Sequence, residues 1–187
     1  MSKLVKEEIT ELIFTAKLVS DDVENRDREF VIRMSIIDDE IKIWENETPG
    51  FRGGFFYKSP HYREKAKFDP SRAFIGSKIN VNLNTFLLVD APDSTLDYME
   101  SQPDTFPYSD LSVVLDKIRH NSDREELRKK FEKYDQGKIG RILLDEAKLF
   151  FHDEFTDLNE QEIRTVLRRY QFYNTNRFDY NEFLVSL

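Results

Sequence analysis

The feature that most restricts how this chain can fold is a change in the period of its hydrophobic residues near residue 95. Before it, from about Leu12 to Val89, apolar side chains recur at every second position. Leu12, Phe14, Ala16 and Leu18 form one such run, Ile32, Met34 and Ile36 another, then Ile41 and Ile43, and finally Ile79, Val81 and Leu83 ahead of the denser Phe86–Val89. A period of two puts alternate residues on opposite faces of a strand, so these runs predict half-buried strands. Asp38-Asp39 falls between two runs as a short hairpin connection. At least six strands in under ninety residues imply a compact antiparallel sheet folded on itself, as a small barrel or sandwich.

After the change, Leu111, Val114, Leu115 and Ile118 recur at helical spacing, and the preceding ESQPDTFPYSD carries two prolines suited to a linker. Three segments read as capping boxes that start helices: Ser122 to Glu125, Asn159 to Glu162 and Asp179 to Glu182. The expected organisation is α+β with two domains, a β domain over residues 9–105 and a helical bundle over 106–187.

Composition narrows the function. The net charge of −8 opposes non-specific attraction to nucleic acid or anionic lipid. The 16 Phe, 8 Tyr and 1 Trp supply enough buried area for a core despite 34% charged residues. With no cysteine there is no disulfide framework, thiolate nucleophile or cysteine-based zinc site. No window approaches the ~20 apolar residues of a membrane span, so the chain reads as soluble and unprocessed. His61, His120 and His152 are scattered, and acidic pairs such as Asp21-Asp22 and Asp38-Asp39 sit in turn-like contexts, so no catalytic constellation is expected.

Two local motifs carry more. GFRGGFF, from Gly50 to Phe56, resembles a phosphate loop in its glycines, but aromatic strand formers follow it instead of a helix. It is expected to be a structural corner, with Arg52 a candidate partner contact. In the second half, DQGKIGRILLDE from Asp135 to Glu146 has the frame of an EF-hand loop. Asp135 stands at the first position, Gly140 at the turn and Glu146 at the twelfth. QFYNTNRFDYNE, from Gln171 to Glu182, makes a second frame, and Ile142 and Phe178 should meet in a short strand pairing between the loops. Calcium needs six to eight oxygen ligands. Gly137, Ile139 and Leu143 in the first loop, and Gln171, Tyr173 and Thr175 in the second, do not supply them. Asp135 and Glu146 are the weak calcium candidates, and the loops are expected to be kept for shape, with no cofactor.

The first half carries a specific resemblance. A strand ending in DDEIKIWE, the GFRGGFF turn, FDPSRAFIGSKINVN and FLLVDAPDSTLDYME together resemble the DM-ten domain of the ciliary EF-hand-containing family, which includes the protofilament ribbon proteins of axonemes. The match runs over about Ile9 to Glu100, and an EF-hand-like pair following it is the C-terminal arrangement of that family. The resemblance implies a pleckstrin-homology-like β-barrel or sandwich followed by a degenerate EF-hand pair. It also implies a non-enzymatic structural protein in the cytoskeleton of cilia and flagella, bound to tubulin protofilaments and other microtubule inner proteins within doublet microtubules. Better-known members carry three such domains, so this chain is expected to be a short relative or a C-terminal portion of a longer one. The nucleoside diphosphate kinase that shares the module has a separate kinase domain, absent here.

A partner surface is expected in KSPHYREKAKFDPSR, Lys58 to Arg72, read as a long basic loop in an acidic chain. Lys58, His61, Tyr62, Arg63, Lys65 and Lys67 are its candidate contacts. The alternatives are a phosphoinositide-binding module and a calcium-responsive adaptor. The first is opposed by four acidic residues in SDDVENRDR, Ser20 to Arg28, and the second would require Phe150, Phe151 or Phe183 to become exposed.

Overall fold

A computed structural model describes residues 9–60 and 69–187 of the chain, which divides into two compact units, Met1–Gln102 and Pro103–Leu187. In the first unit the alternating runs form six strands: β1 (Glu11–Leu18), β2 (Glu29–Ser35), β3 (Ile41–Glu45), β4 (Gly54–Ser59), β5 (Lys78–Val81) and β6 (Asn84–Asp90). They pair antiparallel in the order β4-β3-β2-β1-β6-β5. The chain thus climbs through a four-strand meander and returns with β6 beside β1. The register shifts at Thr15/Ala16 and at Ile43/Trp44, and such shifts bend and coil a sheet, here into a half-barrel.

One face of this sheet is the core. Leu12, Phe14 and Ala16 of β1, Phe30, Ile32 and Met34 of β2, Ile41 and Ile43 of β3, and Phe86 and Leu88 of β6 are all buried. Phe30, Phe56 and Phe86 meet edge to face with centroids 5.1–6.1 Å apart. Helix α1 (Asp93–Glu100) follows β6 with Leu96 and Met99 buried, and Thr95 Oγ1 accepts the Ile13 N–H at 3.1 Å, tying the helix to β1.

Leu83 departs from its expected place in a strand. Asn82 and Leu83 have φ of 48° and 66°, so they form the turn between β5 and β6, and Leu83 is fully exposed at its tip. The apolar alternation simply runs through an Asn-led turn with both central residues left-handed.

The second unit holds α2 (Leu111–Asn121), α3 (Arg124–Phe131), β7 (Arg141–Leu143), α4 (Leu144–Glu154), α5 (Glu160–Arg169), β8 (Arg177–Asp179) and α6 (Tyr180–Ser186). Asn159 and Glu162 form the expected reciprocal capping box on α5, and Asp179 caps α6 by accepting the Glu182 N–H. The α3 start lies one residue later than expected. Asp123 accepts the N–H groups of Glu125 and Glu126, while Ser122 Oγ donates back to the Ile118 carbonyl at the end of α2. With α2 running to Asn121, the serine serves the helix behind it and the aspartate the helix ahead.

Phe131 is the hub of this unit's core. Its ring stacks on Tyr180 at 5.3 Å and contacts Phe150, Phe151, Phe178 and Phe183 at 4.1–6.3 Å. Phe150, Phe151 and Phe183 are buried in these contacts. Gripping a partner, as the adaptor alternative needs, would mean opening this core.

Candidate functional site

The two EF-hand-like loops lie side by side because β7 and β8 pair antiparallel with Ile142 opposite Phe178, both buried, as expected from their shared position in the frames. The carboxylates then decide what the loops can do. Asp135 is only 5% exposed. Its Oδ1 accepts the Ile139 N–H at 3.2 Å, and its Oδ2 accepts the Gly140 N–H at 2.7 Å and the Tyr180 hydroxyl at 2.8 Å. Burial alone would push this carboxyl up, but the donors from Tyr180, Gly140 and Ile139 outweigh it and hold the group below its usual range. Burial, with the same contact to Asp135, pushes the Tyr180 phenol up to about 12. A protein hydroxyl thus occupies the charge that would face an ion.

Glu146, the other candidate ligand, turns to its own helix start, where Oε2 accepts the Leu143 N–H at 2.9 Å. It is the third residue of α4 and reaches back to pair the N–H of Leu143, the helix's N-cap. Gly140 closes the loop at φ +77°. A Cβ there would lie 2.1 Å from Asn181 Nδ2 and displace that amide, but it is the left-handed φ that makes glycine the fitting residue. Among the described residues no cluster of three or more His, Asp or Glu could hold a metal ion.

The second loop is no EF-hand loop in its backbone. Tyr173 and Asn174 have φ of 43° and 56°, the Thr175 N–H reaches the Phe172 carbonyl at 2.9 Å, and the Phe172 N–H reaches the Arg177 carbonyl at 2.8 Å. A turn with both central residues left-handed thus sits inside a four-residue connection closed by Phe172 and Arg177. Its position-six residue, Asn176, therefore has no glycine work to do. Arg141 bonds Asp179 at 3.0 Å and lays its guanidinium over the Phe172 ring at 3.4 Å, fastening the hairpin to β7.

The glycine corner in the first unit is structural, as expected. The Phe51 N–H donates to the Thr48 carbonyl at 2.9 Å across Pro49-Gly50, and Gly50 has φ +90°, the signature of a type II turn. At Gly53 a Cβ would lie 2.7 Å from the Glu47 nitrogen and 2.8 Å from the Glu45 oxygen, so backbone passes where any side chain would start. Arg52 is exposed at this corner, and Phe55 is 62% exposed beside Trp44.

Sequence reading missed the residue that anchors the corner. Arg28 donates from Nε and Nη2 to both oxygens of Glu45, at 2.6 and 3.0 Å, and sits 4.5 Å from the Phe51 ring centroid. The Glu45 hydrogen bond outweighs burial and raises the guanidinium above its usual value. The available signal was only that Arg28 immediately precedes β2 and Glu45 ends β3, its antiparallel neighbour.

Lys58 lies on β4 and not in a loop, because the aromatic strand run continues to Ser59. It pairs with Glu40 at 2.7 Å, opposite Lys42, which bonds the same carboxylate. Those two cations hold Glu40 below its usual range. The other basic-loop candidates, His61, Tyr62, Arg63, Lys65 and Lys67, lie outside the described residues. No helix among the described residues is long and apolar enough to cross a membrane.

Comparison with known proteins fits both units. The model of the DM10 domain matches residues 1–95. EF-hand domain-containing family member C2 of Bos taurus is 29% identical over 174 residues, 86% of this chain and 24% of that protein. The protein of the same name from Danio rerio is 25% identical over 173 residues, 85% of this chain and 23% of its own length. That of Mus musculus is 30% identical over 125 residues, 60% and 17% respectively. The chain spans about a quarter of the length of the first of these relatives. With a half-barrel whose strands and glycine corner fall inside the matched segment, this chain belongs to the DM10 domain family.

Proposed function

We propose that this chain is a non-catalytic structural protein that binds tubulin protofilaments and neighbouring inner proteins in the lumen of ciliary and flagellar doublet microtubules. The observation that carries this reading is the shared order of parts. The similarity to the EF-hand domain-containing relatives extends over 174 residues, through the half-barrel and into the EF-hand-like pair. The family resemblance ties that pairing to axonemes. The loop chemistry supports a shape-keeping role, since Asp135 is taken up by Tyr180 and Glu146 by a helix cap. A protein that serves as a fixed part has no need of an ion to set its form.

Expression of a tagged chain in ciliated cells tests the reading. Demembranated axonemes should retain it through a high-salt wash, because luminal proteins are enclosed by the tubulin wall, and cryo-electron tomography should place the tag inside the doublet. Release with the detergent-soluble fraction would discard the proposal. Reversal of Lys58, Arg63, Lys65 and Lys67 to glutamate should abolish incorporation if the basic segment meets acidic tubulin.

A further inference from the structure

We propose that the ribbon formed by β7, β8 and the Tyr173-Asn174 turn is a docking surface for an acidic protein segment that carries apolar side chains. The first argument is strain. Tyr173 holds φ of 43° while 84% exposed, in a turn position that favours asparagine, aspartate or glycine. A left-handed aromatic residue costs free energy, and the fold recovers little of it. Among the described residues, the one ring contact of Tyr173 is an edge-on approach to Phe172 at 4.5 Å. The side chain is held out where a partner could cover it, and tyrosine is among the residues that most often anchor interfaces.

The second argument is the outward face of the ribbon. Ile142 and Phe178 point into the core, so alternation sends Arg141, Leu143 and Arg177 the other way. Arg141 is occupied by Asp179 and the Phe172 ring. Leu143 is 41% exposed directly across from Arg177, and Arg177 is exposed with no ion pair among the described residues. In a calcium-binding pair this end of the molecule is rich in carboxylates. Here residues 136–143 and 171–178 contain Lys138, Arg141 and Arg177 and no acidic residue, within a chain of net charge −8.

An aromatic knob and an aliphatic side chain beside the exposed Arg177 complement a partner with aspartate or glutamate next to apolar groups. Nucleic acid fits less well, since the remainder of the chain would repel a polyanion that extends past this end. The inference goes beyond the microtubule reading: loss of axonemal retention leaves it standing, and absence of the binding described next leaves that reading standing.

Fluorescence anisotropy of the full chain with labelled poly(Glu,Tyr) copolymer tests it, with poly(Glu) and polyuridylate as the other arms. Poly(Glu,Tyr) should bind in a salt-sensitive way and at least about tenfold more tightly than either other polymer. Arg177→Glu should weaken that binding by about tenfold or more. Tyr173→Asn should weaken it comparably while the thermal midpoint stays level or rises, because asparagine accepts the turn geometry. Equal binding of the three polymers, unchanged binding by either variant, or a lowered midpoint for Tyr173→Asn would each overturn the proposal, the last by making the tyrosine a part of the fold.

Discussion

The first EF-hand-like loop keeps its leading carboxylate and turns it inward onto Tyr180, whereas the second has Gln171 at that leading position and closes its backbone into a tight turn. Both loops nevertheless present their eighth residues, Ile142 and Phe178, to one another across the β7–β8 ribbon. The contrast teaches that the paired-hand shape here rests on the apolar contacts behind the ribbon. What fills each loop is secondary, and two unrelated solutions serve.

The strongest way to break this comparison is to attack what the loops share. Phe131→Ala removes the ring that touches Phe150, Phe151, Phe178, Tyr180 and Phe183. Large-to-small changes of a buried phenylalanine cost about 3–5 kcal/mol. The helical unit should lose most of its stability in chemical denaturation, with both loops lost together. Survival of one loop's amide protection in hydrogen exchange would show that the loops do not share a support.

Next in size are changes that separate the loops. Asp135→Ala should cost about 3 kcal/mol, since it strands two backbone N–H groups and a tyrosine hydroxyl. Tyr180→Phe, which removes one donor and keeps the ring stack, should cost about 1–2 kcal/mol. In the second loop the comparable change, Gln171→Ala, loses a single exposed bond to the Thr175 carbonyl and should cost under about 1 kcal/mol. Urea denaturation of the three variants orders them, and an equal cost for Asp135→Ala and Gln171→Ala would erase the distinction.

How much of this was legible follows from where each cause lies in the chain. The strand faces and the Ile142–Phe178 pairing were readable because a period or a loop frame encodes them within a few residues. Leu83 was misread because alternation does not stop at a turn that preserves it, and Ser122 because two helices compete for one link. The Asp135–Tyr180 bond joins residues 45 apart, and Arg28 reaches Phe51 only after two strands have paired. Neither has a local signature. Nor does a loop frame reveal that Tyr173 will adopt a left-handed turn, since the frame specifies ligands and not backbone.

The inward carboxylate also predicts a pH signature that the second loop lacks. Asp135 has a folded pKa below its usual 3.8, so its contribution is complete above that value and is lost as pH falls through the folded pKa. Tyr180 is raised from 10.0 to about 12, so its contribution holds below 10.0 and is lost as pH climbs between those values. The stability difference between the native chain and Asp135→Asn should therefore shrink on the acid side, and on the alkaline side as well, because Asp135 contributes to the rise at Tyr180. That between the native chain and Tyr180→Phe should shrink on the alkaline side. A difference that stays flat at both extremes would show that the pair is not coupled to folding.

The smallest effect is expected at Glu146, where a calcium-binding loop would show its largest. A bidentate ligand at the twelfth position is indispensable to the ion, and its replacement by glutamine normally abolishes tight binding. Here the carboxylate accepts one N–H, from Leu143, at the start of α4. A glutamine carbonyl can accept the same bond, as it does in capping boxes, and only the favourable charge at the helix N-terminus is lost. Glu146→Gln should therefore cost about 0.5 kcal/mol, and by the same amount with calcium or with chelator present. Were the native chain's thermal midpoint to rise on adding calcium, and the rise to vanish in Glu146→Gln, the first loop would be an ion site that opens Asp135 away from Tyr180, and the contrast between the two loops would have to be redrawn around that switch.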